Sequence, residues 1–171
     1  MNRLFAALAA LFMIGSPLAA ADKKEPSLTG HFIEIAEDYF VSPQIAPEDI
    51  MAAKALGVTL IINNRPDGEE FGQPAGAEIE AAAKAAGLAY AAIPVRGMMI
   101  GPAEIEALSA ALSGHQGKTL AFCRSGTRST VLRAFMRARA GDAADEIIAE
   151  AMGAGYNIAG QKGALKALGA R

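Results

Sequence analysis

Two kinds of hydrophobic pattern alternate along this chain. One is the short unbroken apolar run, such as Val58-Thr59-Leu60-Ile61-Ile62, which turn formers bound and which predicts a buried strand. The other begins with proline and acids, as in Ala46-Pro47-Glu48-Asp49, and then places Ile50, Ala53 and Leu56 at helical spacing before a stop at Gly57. On this basis residues 31–41 predict one or two short strands around Phe32-Ile33 and Phe40-Val41, ended by Ser42-Pro43. The strand over 58–62 runs into the turn-forming cluster Asn63-Asn64-Arg65-Pro66-Asp67-Gly68. A helix over 77–86 closed by Gly87, a strand over 88–93 broken by Pro94, a helix over 102–112 and a strand over 118–122 continue the alternation. Residues 129–139, closed by Gly141, and 143–152 predict two more helices, and an Ala/Gly/Leu/Lys tail begins at Gly160.

Strands and helices that alternate in this way predict an α/β fold, a mainly parallel central sheet flanked by helices on both faces. Residues 1–21 stand outside it. A charged start at Arg3, an apolar run over 4–14, a Gly-Ser-Pro break and the small residues Ala19-Ala20-Ala21 predict a signal peptide cleaved after Ala21, with Ala20 as a competing site. The apolar run is shorter than the roughly 20 residues a membrane span needs, so no span is expected after cleavage. The expected product is an exported, periplasmic protein whose residues 22–171 form one domain. Losing Arg3 leaves 15 of the 16 basic residues against 18 acidic ones, a formal −3, which offers no global attraction to nucleic acid or a membrane surface. Cys123 is the only cysteine, and a lone thiol in an oxidising compartment points to chemistry rather than to a disulfide.

The chemistry concentrates where the apolar run Thr119-Leu120-Ala121-Phe122 ends at Cys123-Arg124-Ser125-Gly126-Thr127-Arg128-Ser129 and a helix follows. A cysteine there stands at the carboxyl edge of the sheet, where a turn feeding a helix aims several backbone N–H groups into one concave space. Gly126 lets the backbone curl. The nest, the helix dipole, Arg124 and Arg128 all favour negative charge, and the first such charge available is the Cys123 thiolate. That thiolate is placed to attack an electron-poor sulfur or phosphorus while the amides and the Arg128 guanidinium hold the oxygens of the incoming anion. Ser125, Thr127 and Ser129 add hydroxyl donors. A single cysteine more often ends a strand as a small buried apolar residue, but glycine, hydroxyls and two arginines suit an anion site better than a core.

Cys-Arg-Ser-Gly-Thr-Arg-Ser resembles the active loop of rhodanese-type sulfurtransferases, whose loops commonly read Cys-Arg-x-Gly-x-Arg-Ser. The longer context is similar to the phosphatase-like domain named after beta-lactamase-hydrolase-like proteins, over residues 30–158. It is carried by Asp38-Tyr39-Phe40-Val41-Ser42-Pro43-Gln44-Ile45, Ile61-Ile62-Asn63-Asn64-Arg65-Pro66-Asp67-Gly68-Glu69, Ile93-Pro94-Val95 and the cysteine loop, in that order. This resemblance implies a fold like that of dual-specificity phosphatases. Such phosphatases place five residues between cysteine and arginine, whereas here four, Arg124 to Thr127, separate Cys123 from Arg128. They also use an aspartate general acid on an earlier loop, and the matching Pro94-Val95-Arg96-Gly97-Met98-Met99 has no carboxylate. Asp67 or Glu69 is a substitute if the turn after residue 62 folds over the cysteine loop; the plainer role of Asp67 is to form the turn.

The expected roles follow. Cys123 is the nucleophile, Arg128 and the amides of Arg124, Ser125, Gly126, Thr127 and Ser129 bind the anion, and Arg65 either reaches it or pairs with a neighbouring carboxylate. Arg133, Arg137 and Arg139 draw in anions or line a solvated helix face. Met98-Met99 form an apolar rim over the site or a buried hydrophobic turn, the second being the simpler reading. His31 and His115 belong to no cluster at ligand spacing, so no metal is expected, and no nucleotide fingerprint is present. The leading function is sulfane-sulfur transfer through a Cys123 persulfide, from a small anionic sulfur donor to a thiol acceptor. The alternative is hydrolysis of a phosphorylated substrate through a cysteinyl phosphate, and the third reading is anion or partner binding without catalysis.

Overall fold

The computed structural model describes residues 32–171; the expected signal peptide and His31 lie outside them. Strand β1 (Ile33–Ala36) pairs antiparallel with β2 (Tyr39–Ser42). A 3-10 turn over Pro47–Asp49 leads into α1 (Ile50–Ala55), with the Asp49 carboxylate accepting the Ala46 N–H at 2.7 Å. Then follow β3 (Val58–Asn63), α2 (Gly76–Ala85), β4 (Ala89–Ala92), α3 (Pro102–Ser113), β5 (Lys118–Phe122), α4 (Thr127–Arg139), α5 (Ala144–Gly153) and α6 (Lys162–Leu168).

The strands lie in the order β1-β2-β5-β3-β4, and all but β1 run parallel. The last strand in the chain is therefore the middle of the sheet. Side chains alternate across it, as the period of two requires. Leu120 and Phe122 join Phe40, Ile61, Ile50 and Ile79 in a core beneath α1 and α2. Ala121 joins Val41, Leu60 and Ile62 on the opposite face, where α3, α4, α5 and α6 supply Leu108, Leu132, Ile147 and Leu165. With both faces covered, the central strands are mostly apolar, which is why they read as nearly unbroken runs, with Thr119 a buried exception.

Two sequence expectations change here. Helix α4 starts at Thr127 rather than at 129, because Gly126, at φ +87°, turns the chain directly into the helix. Thr127 and Arg128 consequently stand in its first turn instead of in a loop. The tail from Gly160 becomes α6, anchored by the fully buried Leu165. Among the described residues no helix is long and apolar enough to cross a membrane.

Candidate active site

Cys123 leaves the carboxyl end of the central strand between the ends of β2 and β3. Its N–H reaches Ser42 O at 3.4 Å, Gln44 N–H donates to Arg124 O at 3.4 Å, and Pro43 and Ser125 form an isolated antiparallel bridge. On the other flank Asn64 ties three strand ends together. Its N–H donates to Phe122 O (2.8 Å), its Nδ2 to Ile93 O (2.9 Å), and its carbonyl accepts Val95 N–H (3.0 Å). The side-chain bond to Ile93 O accounts for the fully buried Asn64, and Asn63 Oδ1 in turn accepts the Arg65 N–H at 2.8 Å.

The loop curls back over its own sulfur. Gly126 N–H donates to Cys123 Sγ at 3.1 Å, and the cysteine is 0 % exposed. Helix α4 begins immediately afterwards, and no side chain caps it. The first N–H groups of a helix have no intrahelical acceptor, so those of Thr127, Arg128 and Ser129 remain available to an anion beside the sulfur. Ser125 and Thr127 hydroxyls bond each other at 3.1 Å on the exposed side. Ser129 is fully buried, and its hydroxyl has no hydrogen-bond partner among the described residues.

Arg128 is held by a partner from another loop. Glu69 accepts from Nη1 at 2.6 Å and from Nη2 at 2.7 Å, and Val95 O accepts from Nη1 at 2.7 Å. A guanidinium has five N–H groups. Both hydrogens of Nη1 and one of Nη2 are thus engaged, and Nε with the outer hydrogen of Nη2 remains as a fork suited to an oxyanion. Glu69 and the neighbouring Cys123 charge hold the Arg128 guanidinium above its ordinary value, against the opposing effect of burial. Glu69 also takes Nε of Arg65 at 3.1 Å, and Arg65 completes its set with Glu70 (3.0 Å) and Gln44 (3.0 Å). The turn after β3 therefore does fold over the cysteine loop.

The bond from Arg128 foremost, with Arg65 adding to it, keeps the Glu69 carboxyl below its ordinary value of 4.5, although partial burial works the other way. Because the folded value is depressed, this ion pair stabilises the fold fully above about 4.5 and is lost as pH falls through the folded value. Glu69→Gln should accordingly melt below wild type at neutral pH, and the gap should shrink as pH falls below about 4.5 and through the lowered folded value, where the wild-type carboxyl is protonated as well. Melting curves across that range check it; a gap independent of pH would mean that the charge is not the source.

Several expected residues lie elsewhere. Asp67 turns away from the cysteine: its Oδ1 accepts the Gly76 N–H at 2.8 Å and so serves the turn before α2. Arg65 is spent on Glu69, Glu70 and Gln44, the pairing rather than the substrate role. Arg124 is exposed, 3.6 Å from Glu70. The arginines of α4 pair as well, Arg133 with Glu150, Arg137 with Asp142 and Glu150, and Arg139 with Glu106, so they form no open cationic track. Met98 and Met99 are 49 % and 74 % exposed. The turn over 94–99 is thus not a buried hydrophobic one, because Arg128 pins it at Val95 and leaves its tip in solvent. Tyr156, which the sequence did not single out, lies against Gly126: a Cβ there would come within 2.0 Å of its hydroxyl oxygen.

Residues 31–140 match the family model described as beta-lactamase hydrolase-like protein, phosphatase-like domain. A beta-lactamase hydrolase-like protein of Xylella fastidiosa is 40% identical over 102 residues, 60% of this chain and 24% of that protein. The chain thus spans about a quarter of the length of the curated relatives it matches. Among solved structures, a candidate phosphatase from Neisseria meningitidis superposes with a TM-score of 0.72 at 34% identity, covering 80% of this chain and 96% of that one. A mouse protein named as a candidate dual specificity phosphatase covers 92% of both chains at a TM-score of 0.57 and 20% identity, a likeness of fold.

Proposed function

The chain belongs to the phosphatase-like domain family of beta-lactamase hydrolase-like proteins, and on that premise we propose that it is a cysteine-dependent phosphatase-like hydrolase acting on phosphate monoesters. The observation that carries this reading is the convergence on one point of Cys123 Sγ, the uncapped start of α4 and the free fork of Arg128. The phosphoryl oxygens lie on the α4 amides and Arg128 while Sγ attacks phosphorus. An S–P bond forms and the ester P–O bond breaks. Water then attacks the cysteinyl phosphate, releasing inorganic phosphate and returning the thiolate. Glu69 is a positioning residue in this scheme: it fixes the guanidinium by one edge and leaves the other edge to the substrate. The complete burial of Cys123 limits attack to groups that enter the ring of amides.

Sulfane-sulfur transfer through a Cys123 persulfide is the second reading. Two features support it: the four-residue interval between Cys123 and Arg128, one amide shorter than in cysteine phosphatases, and a 94–99 loop without a carboxylate. The comparisons lend it nothing. Export by the leader at residues 1–21 and the extent of the mature domain, 22–171, remain part of the proposal, and cell fractionation tests them.

One experiment separates the chemistries. The reduced protein is incubated with p-nitrophenyl phosphate, and separately with thiosulfate or glutathione persulfide, then quenched for intact-mass analysis while nitrophenol is followed. Nitrophenol release with a phosphoryl group on the protein supports the hydrolase. Gain of one sulfur atom without nitrophenol overturns it in favour of sulfur transfer, and silence in both arms leaves anion binding alone.

A further inference from the structure

Hydrolysis of an ordinary ester leaves an alkoxide that needs a proton, and the carboxylates near the loop are poorly placed to give one. Glu69 is held ionised by Arg128 and Arg65. Glu70 is paired with Arg65 at 3.0 Å and lies 3.6 Å from Arg124. Asp67 is bound to Gly76 N–H. The 94–99 turn has none.

Tyr156 reaches the same loop from the other side. The chain leaves α5 through Gly155 at φ +86°, and Tyr156 N–H returns to Ala151 O at 2.8 Å. That reversal lays the half-buried phenol on the loop. Its oxygen sits where a side chain on Gly126 would start, at the same residue whose N–H holds Cys123 Sγ. The nearest acceptor recorded for the hydroxyl is Ser125 O at 3.4 Å, well beyond the usual O–H···O range, so the proton is not committed there. Burial first, and the Cys123 charge second, raise the phenol above its ordinary value of 10.0. It therefore carries its proton throughout the neutral range.

We propose that Tyr156 is a catalytic residue of this site, the hydroxyl that protonates the oxygen leaving phosphorus. The proposal rests on the hydrolase reading, and Tyr156 lies beyond the family-matched segment, which ends at residue 140. As Sγ bonds to phosphorus, the P–O bond breaks, and its electron pair on the departing oxygen takes the Tyr156 proton. The alcohol leaves, and the phenolate takes a proton from the water that next attacks the cysteinyl phosphate, so that both groups return to their starting states.

Tyr156→Phe keeps the ring against Gly126 and removes only the hydroxyl. Its kcat/KM is to be compared with wild type on p-nitrophenyl phosphate, whose leaving group departs as a stable anion, and on glycerol phosphate, whose leaving group does not. The loss should grow with leaving-group basicity, from about threefold on the first to about a hundredfold on the second. Nitrophenyl phosphate turnover by the variant reports at the same time that the site is folded. Equal losses on both substrates, or none on either, would overturn the proposal. So would a wild-type protein that turns over nitrophenyl phosphate and not glycerol phosphate. Wild type inert towards both would instead sink the hydrolase reading, and the proton-donor role with it.

Discussion

Replacing Cys123 with serine should lower turnover of p-nitrophenyl phosphate by roughly four orders of magnitude or more, with the melting temperature moved by only a few degrees, about 1 kcal/mol. The chemistry demands the first part. An alcohol is not ionised near neutral pH, and Glu69, the carboxylate that the neighbouring loop brings to Arg128, is tied to two guanidiniums. The geometry predicts the second. Oxygen is a smaller atom at a fully buried position, and it still accepts the Gly126 N–H that now meets Sγ at 3.1 Å. Steady-state rates and a thermal melt on the same preparation check both, and inorganic phosphate should still protect the variant against melting. Residual turnover within a factor of about ten of wild type would remove Cys123 from the nucleophile's role.

Gly126→Ala should damage fold and activity together. The backbone there has φ +87°, where a non-glycine residue costs about 1–2 kcal/mol. The added Cβ would meet Tyr156 at 2.0 Å from the hydroxyl oxygen and 2.7 Å from the ring carbon that bears it, so the ring has to move. The two effects together amount to about 2–3 kcal/mol and lower the melting temperature by roughly 8 °C. Activity should fall about a hundredfold, since the same residue carries the N–H on Sγ and starts α4. A double variant that also carries Tyr156→Ala separates the causes: it relieves the collision and leaves the backbone strain. Partial recovery of stability is expected, and Gly126→Ala as stable as wild type would contradict the left-handed turn.

The parts of this protein that local sequence carries were legible in advance. Apolar runs bounded by turn formers marked the central strands β3 and β5, because strands covered on both faces favour apolar residues. The cysteine loop was equally plain, for a strand end, a glycine and a helix start within seven residues define a nest without reference to the rest of the chain. Boundaries were less so. Thr127 and Arg128 were expected outside a helix that in fact begins at Thr127, since only the conformation of Gly126 fixes where the turn ends.

What the sequence by itself determined is the place of Cys123 at the end of a strand, the tight glycine turn after it and the sheet edge that presents them. What only the tertiary structure decided is the company they keep. Glu69 is 59 positions from Arg128 and Asp67 two residues from Glu69, yet one carboxylate closes on the guanidinium and the other on a helix start. The left-handed Gly68 between them sends the two side chains different ways. Tyr156 comes to Gly126 from beyond α5, across 30 residues of chain. Pairings of that kind depend on which elements the two cores bring side by side, a property of the packed sheet and helices that no local window of residues contains.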